Sequence, residues 1–139
     1  MATMNVGRVV LGGVVAGLVV NIGETILNVV VAAQAMEDAL RARNLAPVGG
    51  SAIGGFVVLT FALGIVTVWL YAAIRPRFGP GPRTALIAGL VVWFLAYLHQ
   101  NAAMTLMGIL PAGVMTLGTL WGCAEILIAS VAGAWVYKE

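Results

Sequence analysis

The sequence Gly13-Val-Val-Ala-Gly17-Leu-Val-Val-Asn21-Ile-Gly-Glu24-Thr-Ile-Leu-Asn28 lies inside the first long apolar run of the chain. Its first half carries small residues at every fourth position, and its second half carries polar ones. At about 100° per residue, five of these positions share one helical face about 80° wide. The pattern predicts a helix that turns this face toward the interior of the molecule; the five residues are Gly13, Gly17, Asn21, Glu24 and Asn28.

The last long apolar run carries a stripe of similar spacing, formed by Gly118, Gly122, Glu125, Ala129 and Gly133. Within the four long apolar runs, only Glu24 and Glu125 carry charged side chains. Acids inside a membrane segment are expensive to keep and face the interior of a bundle rather than lipid. We therefore expect the two stripes to face each other across the bundle.

Small residues at every fourth position allow two membrane helices to approach closely. In an antiparallel pair of first and last helices, Gly13 and Gly17 reach the level of Ala129 and Gly133. We therefore predict a tight seam between these two helices in one half of the membrane. The polar positions of both stripes then lie together in the other half.

The composition places the whole chain, residues 1–139, in a single integral membrane domain. Its residues are 62% hydrophobic and only 9% charged, which lies far outside the range of soluble proteins. Four runs reach the length of about 20 apolar residues that crosses a bilayer. They predict an all-α four-helix transmembrane bundle with up-down-up-down topology and spans at about 9–31, 53–74, 85–106 and 114–136.

The distribution of basic residues predicts the orientation in the membrane. With four spans, both termini and the turn at residues 75–83 share one side. Five of the seven basic residues lie on that side, so the positive-inside rule predicts cytoplasmic termini; they are Arg8, Arg75, Arg77, Arg83 and Lys138. Three prolines and two glycines at 75–83 predict a turn without helix. Residues 34–43 are expected to form either an extension of the first helix or a short helix on the membrane surface.

A polar pocket is predicted in the outer half of the bundle. At 1.5 Å per residue from the cytoplasmic ends, Glu24 lies about 22 Å deep, His99 about 21 Å and Glu125 about 16 Å. Asn21 and Asn28 lie one helical turn on either side of Glu24, and Gln100 follows His99. We expect these six residues to line the pocket. The alternative for the two asparagines is that they hydrogen-bond helices together, and for His99 that it is an interfacial polar residue.

Several classes of site and partner are not expected from this sequence. The chain has one histidine and one cysteine, Cys123, and no ExxH pair, so neither a metal site nor a haem is predicted. Phosphate loops, nucleophile elbows and HExxH motifs are absent, so no catalytic residue or cofactor is predicted. The net charge of +2 comes from basic residues at span ends, which does not predict nucleic-acid binding.

Two segments, residues 69–81 and 132–138, resemble those of small four-span bacterial membrane proteins without assigned function. The resemblance implies a multi-pass protein of the bacterial inner membrane and carries no functional residues with it. A weaker likeness is to the small multidrug resistance transporters, which are also short four-span chains with a glutamate in the first helix. Glu125, the long loop after the first span and the five-to-two bias of basic residues depart from that pattern.

Three functions remain open from the sequence. The first is a non-enzymatic accessory, scaffold or small-ligand-binding protein, with the bilayer, further copies or a larger complex as partners. The alternative is a proton-coupled transporter that uses Glu24 and Glu125. The third is an enzyme acting on a lipid or quinone, which ranks last because no nucleophile is recognisable. A transporter needs its acids to face a water-accessible cavity, whereas an accessory protein should pair them inside the bundle.

Overall fold

The computed structural model of the chain describes residues 4–137, most of which are helical. The first span is α1, which continues through a π-helical stretch, and α2 follows it. The second span is α3, the third is α4 and α5 joined by another π-helical stretch, and the fourth is α6. Their bounds are α1 Val6–Ile26, π Leu27–Val31, α2 Ala33–Arg41, α3 Gly50–Phe78, α4 Pro82–Trp93, π Phe94–Leu98, α5 His99–Leu106 and α6 Ala112–Val136.

Four helical segments are long and apolar enough to cross a membrane, which confirms the predicted four-helix transmembrane fold class. They are Val6–Val31, Gly50–Phe78, Pro82–Leu106 and Ala112–Val136. The end of the molecule that carries α2 and the α5–α6 turn is called the outer half below, a name that marks a position in the bundle and not a side of the membrane. The end that carries the α3–α4 turn is called the basal end.

The prediction that residues 75–83 contain no helix is wrong for their first part. The second span continues through Pro76 and ends at Phe78. Proline in the final turn of a helix removes only one backbone hydrogen bond, and a long packed helix tolerates that loss. The turn itself is short because Gly79 and Gly81 adopt φ angles of +82° and +124°, which favour glycine. Pro82 then occupies the first position of α4, where its missing N–H is not needed.

The close contact of α1 is with α3 as well as with α6, which corrects the predicted seam. Gly13 packs against the backbone of Ile65 in α3, and Gly17 lies over Phe61 of the same helix. A methyl group on Gly64 would clash with the backbone at Gly13 and lie 2.8 Å from Gly17 Cα. These two glycines of the predicted stripe therefore face the second span.

The contact between α1 and α6 uses the neighbouring positions. A Cβ atom added to Gly12 would lie 2.6 Å from the carbonyl oxygen of Gly133, and one added to Gly133 would lie 3.0 Å from Ala16 Cβ. A shift of one residue rotates a helical position by about 100°. The consecutive glycines Gly12 and Gly13 therefore let α1 approach two neighbours at once. Ala129 of the stripe is buried in the core.

The segment α2 follows the first span in the outer half. A bend at Ala32 separates it from the π-helical stretch, and its Ala39 is buried. Arg41 forms an ion pair with Glu37 at 2.6 Å on its exposed side. Beyond its end, Arg43 Nη2 donates to the carbonyl oxygen of Gly108 in the α5–α6 turn at 2.8 Å. Residues Ala33–Arg41 are helical as predicted, and the break at Ala32 makes α2 a separate short helix rather than a continuous extension of the first span.

Candidate functional site

The two intramembrane acids converge on one tyrosine hydroxyl. The Tyr97 hydroxyl oxygen lies 2.6 Å from Glu125 Oε1 and 3.0 Å from Glu24 Oε1. Glu125 is 6% exposed and Glu24 is half-buried. The three side chains come from α6, α1 and the π-helical stretch of the third span. We call them the acid cluster.

Glycines on two helices make room for the acid cluster. A Cβ atom at Gly122 would clash with the ring of Tyr97, so only glycine at this position lets the ring lie against α6. A Cβ atom at Gly23 would clash with the carboxyl group of Glu125. Trp121 of α6 also bonds to α1 at this point, because its indole Nε1–H donates to the carbonyl oxygen of Gly23 at 3.1 Å.

The two contacts of the Tyr97 hydroxyl relate the hydrogen bonds of the acid cluster to its protonation. A phenol has one proton and donates to one acceptor at a time. Both contacts of the Tyr97 hydroxyl can be hydrogen bonds together only when one carboxyl is protonated and donates to the phenol oxygen. The other oxygen of Glu125, Oε2, is buried and has no hydrogen-bond partner within residues 4–137. The arrangement can therefore share and hold protons.

The asparagines that flank Glu24 differ in what they contact. The side-chain amide of Asn28 donates to Glu24 Oε2 at 2.9 Å and to the carbonyl oxygen of Glu24 at 2.8 Å. The side-chain amide of Asn21 donates instead to the carbonyl oxygen of Gly17 at 2.9 Å, within its own helix. Asn28 thus extends the acid cluster, whereas the Asn21 side chain bonds within its own helix and makes no described hydrogen bond to the acid cluster.

His99 and Gln100 are exposed at the start of α5, outside the acid cluster, which corrects their expected place in the pocket. The cause is the π-helical stretch Phe94–Leu98, because a π-helical turn holds extra residues and rotates the side chains that follow it. The rotation brings Tyr97 and Asn101 inward. The side-chain amide of Asn101 donates to Thr119 Oγ1 at 3.0 Å.

A cavity of about 210 Å³ opens beside the acid cluster in the outer half. Its polar lining comes from Glu24, Asn28, Tyr97 and Asn101, and its remaining lining is mainly apolar and includes methionines from α2 and α6. Gly118 also lines it, and a Cβ atom there would meet only Asn101 Nδ2, at 3.6 Å. Gly118 of the predicted packing stripe therefore leaves space in the cavity rather than bringing two helices together.

Both π-helical stretches lie at the level of this cavity. Leu27–Val31 begins three residues after Glu24, and Phe94–Leu98 contains Tyr97. The backbone N–H groups of Ala32 and His99 donate five residues back, to the carbonyl oxygens of Leu27 and Phe94. Such insertions are frequent at functional sites, where they re-aim side chains.

Tyr97 is the main site residue that sequence reasoning missed. Tyrosine in membrane proteins is enriched at the two interfaces, whereas Tyr97 lies fifteen residues after the start of α4 at Pro82, well inside the third span. That unusual depth was the available signal. Trp121, Asn101 and Thr119 carried no comparable signal, because their contacts depend on how the helices rotate.

The segment α2 covers the cavity, since Met36 lines it and Arg43 holds the far end to the α5–α6 turn. We expect Arg43→Ala to raise access to the cavity severalfold, because it removes this tether. The measurement is the rate at which a thiol reagent modifies Met115→Cys, a cavity position, in a Cys123→Ala background. Arg41→Ala is the matched control, since Arg41 pairs only with exposed Glu37 among the described contacts. Equal rates in both variants would show that the tether does not limit access.

Within residues 4–137, no group of three histidine, cysteine or acidic side chains is placed to hold a metal ion. The acid cluster offers two carboxyl groups and a phenol, a set that suits proton sharing and hydrogen bonding to a small polar or cationic group. No protein-family model, curated protein or solved structure matches this chain, so the geometry of the site is the basis for a functional proposal.

Proposed function

We propose that this chain is a non-enzymatic membrane protein that binds a small ligand in the outer-half cavity. The observation that carries the proposal is that Glu24 lines the cavity and at the same time shares the Tyr97 hydroxyl with Glu125. Glu24 can therefore form a hydrogen bond with a ligand bound in the cavity, or exchange a proton with it. Its methionine and aliphatic lining favours a ligand with an apolar body.

The other half of the bundle supports binding rather than passage. Below the acid cluster, α1 lies in backbone contact with α3 at Gly64 and with α6 at Gly133. A bundle packed through its smallest side chains has no room for a ligand at that level. We therefore propose that the cavity opens toward one side of the membrane only.

A hydrophobic carbodiimide such as N,N′-diisopropylcarbodiimide tests the site with a defined probe. The carboxyl proton passes to a nitrogen of the reagent and the carboxylate oxygen adds to its central carbon, so the whole reagent is retained as added mass. We expect the adduct on Glu24, identified by peptide mapping of the intact, detergent-solubilised protein. It is absent from Glu24→Gln.

Two glycines of α6 provide the matched variants. Gly118→Leu fills the cavity and should slow labelling at least fivefold, whereas Gly113 has no atom within 4 Å of an added Cβ, so Gly113→Leu should label like the wild type. Native mass spectrometry of the same three proteins should show a retained small molecule that only Gly118→Leu loses. If Glu24 were labelled as fast in Gly118→Leu as in the wild type, the proposal would be overturned.

A proton-coupled transporter is the second candidate, because Glu24 faces a cavity and belongs to a cluster that can hold protons. Under this alternative, liposomes containing the wild-type protein take up protons along an imposed pH difference, and Glu24→Gln abolishes the uptake. Under the binding proposal, wild-type and Glu24→Gln liposomes behave alike. A pH-sensitive dye inside the liposomes distinguishes the two.

An accessory role in a larger assembly is compatible with ligand binding and has its own support. The first ten residues of α3 are at most partly buried, and Gly54 and Gly55 among them have no atom within 4 Å of an added Cβ. Exposed small residues on a membrane helix favour close approach of another helix. Native mass spectrometry reports a second copy or a partner subunit in the same sample.

A further inference from the structure

The polar lining of the outer-half cavity is short of hydrogen-bond donors. The side-chain amide of Asn28 uses both of its hydrogens on Glu24, at 2.9 Å to Oε2 and 2.8 Å to the backbone carbonyl oxygen. Asn28 therefore offers the cavity only its own Oδ1. The side-chain amide of Asn101 donates one hydrogen to Thr119 Oγ1 at 3.0 Å, which leaves it one other. The polar side chains of the cavity thus present mainly acceptors.

The acid cluster that meets this lining has the same shortage. Each of its carboxyl groups has two acceptor oxygens. Within residues 4–137, the side chains bonded to these oxygens are Tyr97 and Asn28. Glu125 is 6% exposed, and its buried Oε2 has no hydrogen-bond partner in that range. A ligand that brings several donors would therefore find unused acceptors here.

Among residues 4–137, no basic side chain lines the outer-half cavity. Arg41 of α2 pairs with Glu37, and Arg43 donates to the carbonyl oxygen of Gly108. His99 is exposed outside the acid cluster. With one carboxyl proton, the acid cluster keeps one negative charge, and such a charge is costly inside a membrane span unless it is paired. A ligand with one positive charge would pair it.

The size and the apolar lining of the cavity limit the body of the ligand. An apolar cavity of roughly 150 Å³ holds benzene. The outer-half cavity, at about 210 Å³, therefore accommodates one ring with a short arm. Met36 and Met115 belong to its lining, and thioether sulfur makes favourable contacts with aromatic rings. The cavity fits a compact apolar body that is smaller than a drug-sized molecule.

We propose that the ligand of the outer-half cavity is a small amine, bound as an ammonium ion. Its N–H groups lie toward Glu24 and Asn28, and its apolar body lies along Met36 and Met115. An ammonium group has three N–H donors, no acceptor and one positive charge, so it matches both the shortage of donors and the unpaired charge. An alkyl amine is protonated at neutral pH, as the lysine side chain is. The inference rests on the proposed function, because it names the class of ligand for the same cavity.

Equilibrium dialysis of the intact, detergent-solubilised protein tests the charge of the ligand with two probes of nearly the same shape. At neutral pH benzylamine is a cation, whereas benzyl alcohol is uncharged. Uptake by protein-free micelles is measured separately and subtracted for each probe. We expect the wild type to bind benzylamine about tenfold more tightly than benzyl alcohol, because hydrogen bonds between charged groups are stronger than neutral ones.

Two pairs of matched variants locate the binding site. Glu24→Gln should remove the preference for benzylamine, whereas Glu37→Gln, which changes an exposed acid of α2 outside the cavity lining, should keep it. Gly118→Leu should abolish the binding of both probes, because it fills the cavity. Gly113→Leu should bind both probes like the wild type, since Gly113 has no atom within 4 Å of an added Cβ.

Three results would overturn the inference: equal affinity for the two probes, a preference for benzylamine that remains in Glu24→Gln, or no binding of benzylamine. The wild-type comparison needs no substitution, so it decides the charge of the ligand whether or not Glu24→Gln folds. The proposed function is judged separately, by the carbodiimide labelling of Gly118→Leu. Slow labelling of Gly118→Leu without a preference for benzylamine would keep the cavity as a binding site and exclude the amine as its ligand.

Discussion

Gly64→Val should lower the free energy of unfolding by about 3 kcal/mol, because a larger side chain does not fit in a closely packed contact without displacing its neighbours. The added side chain would meet the backbone of α1 at Gly13 and Gly17. Backbone atoms cannot rotate away as a flexible side chain can, so α1 and α3 would have to separate. Reversible unfolding in mixed micelles, followed by tryptophan fluorescence, measures the loss.

The matched control for this variant lies in the same helix. Gly54 has no atom within 4 Å of an added Cβ, so Gly54→Val changes the same residue type in α3 without a clash. We expect it to stay within about 0.5 kcal/mol of the wild type, as exposed substitutions do. If both variants lost the same stability, the backbone contact between α1 and α3 would not be the reason.

Tyr97→Phe should destabilise the protein by about 2 kcal/mol, because it removes the hydroxyl that buried Glu125 and half-buried Glu24 share. The ring of phenylalanine still fits against Gly122, so packing is retained and the loss reports the hydrogen bonds. Tyr71→Phe is the control, since the Tyr71 hydroxyl accepts only a neutral N–H from Gly81 among its described bonds. Tyr71→Phe should lower the free energy of unfolding by about 1 kcal/mol.

A double-mutant cycle with Glu125→Gln isolates the contact between the hydroxyl and this carboxyl group. Residues in one hydrogen-bond network are coupled by roughly 0.5–3 kcal/mol. We expect Tyr97→Phe to lose less stability in the Glu125→Gln background than in the wild type. Strictly additive losses would mean that the 2.6 Å contact between Tyr97 and Glu125 contributes nothing to folding.

The fold class followed from the sequence because long apolar runs leave few alternatives in a membrane. The sequence did not show how each helix is rotated about its own axis, and so which neighbour each helical face meets. The stripe of Gly13 and Gly17 was recognisable as a packing surface, yet nothing in a repeated spacing says which neighbour it meets. Gly12, adjacent to it, makes the contact with α6 that the stripe was expected to make.

The site was predictable in part for a related reason. Glu24 and Glu125 stood out because charge is rare in these runs, whereas Tyr97 is uncharged and its only signal was its depth in the third span. The extra residues of Phe94–Leu98 then changed which side chains of the third span turn inward. A period of 3.6 residues applied across that stretch selects His99 and Gln100 rather than Tyr97 and Asn101, because the period itself changes there.

The contrast between the open outer half and the close-packed half below it has a kinetic consequence. A compartment with a single mouth loads and empties along the same route. Any substitution that narrows the mouth without filling the cavity should therefore slow arrival and departure of an occupant together. Equilibrium occupancy would then change far less than the time needed to reach it, unless the substituent also takes up the occupant's own volume.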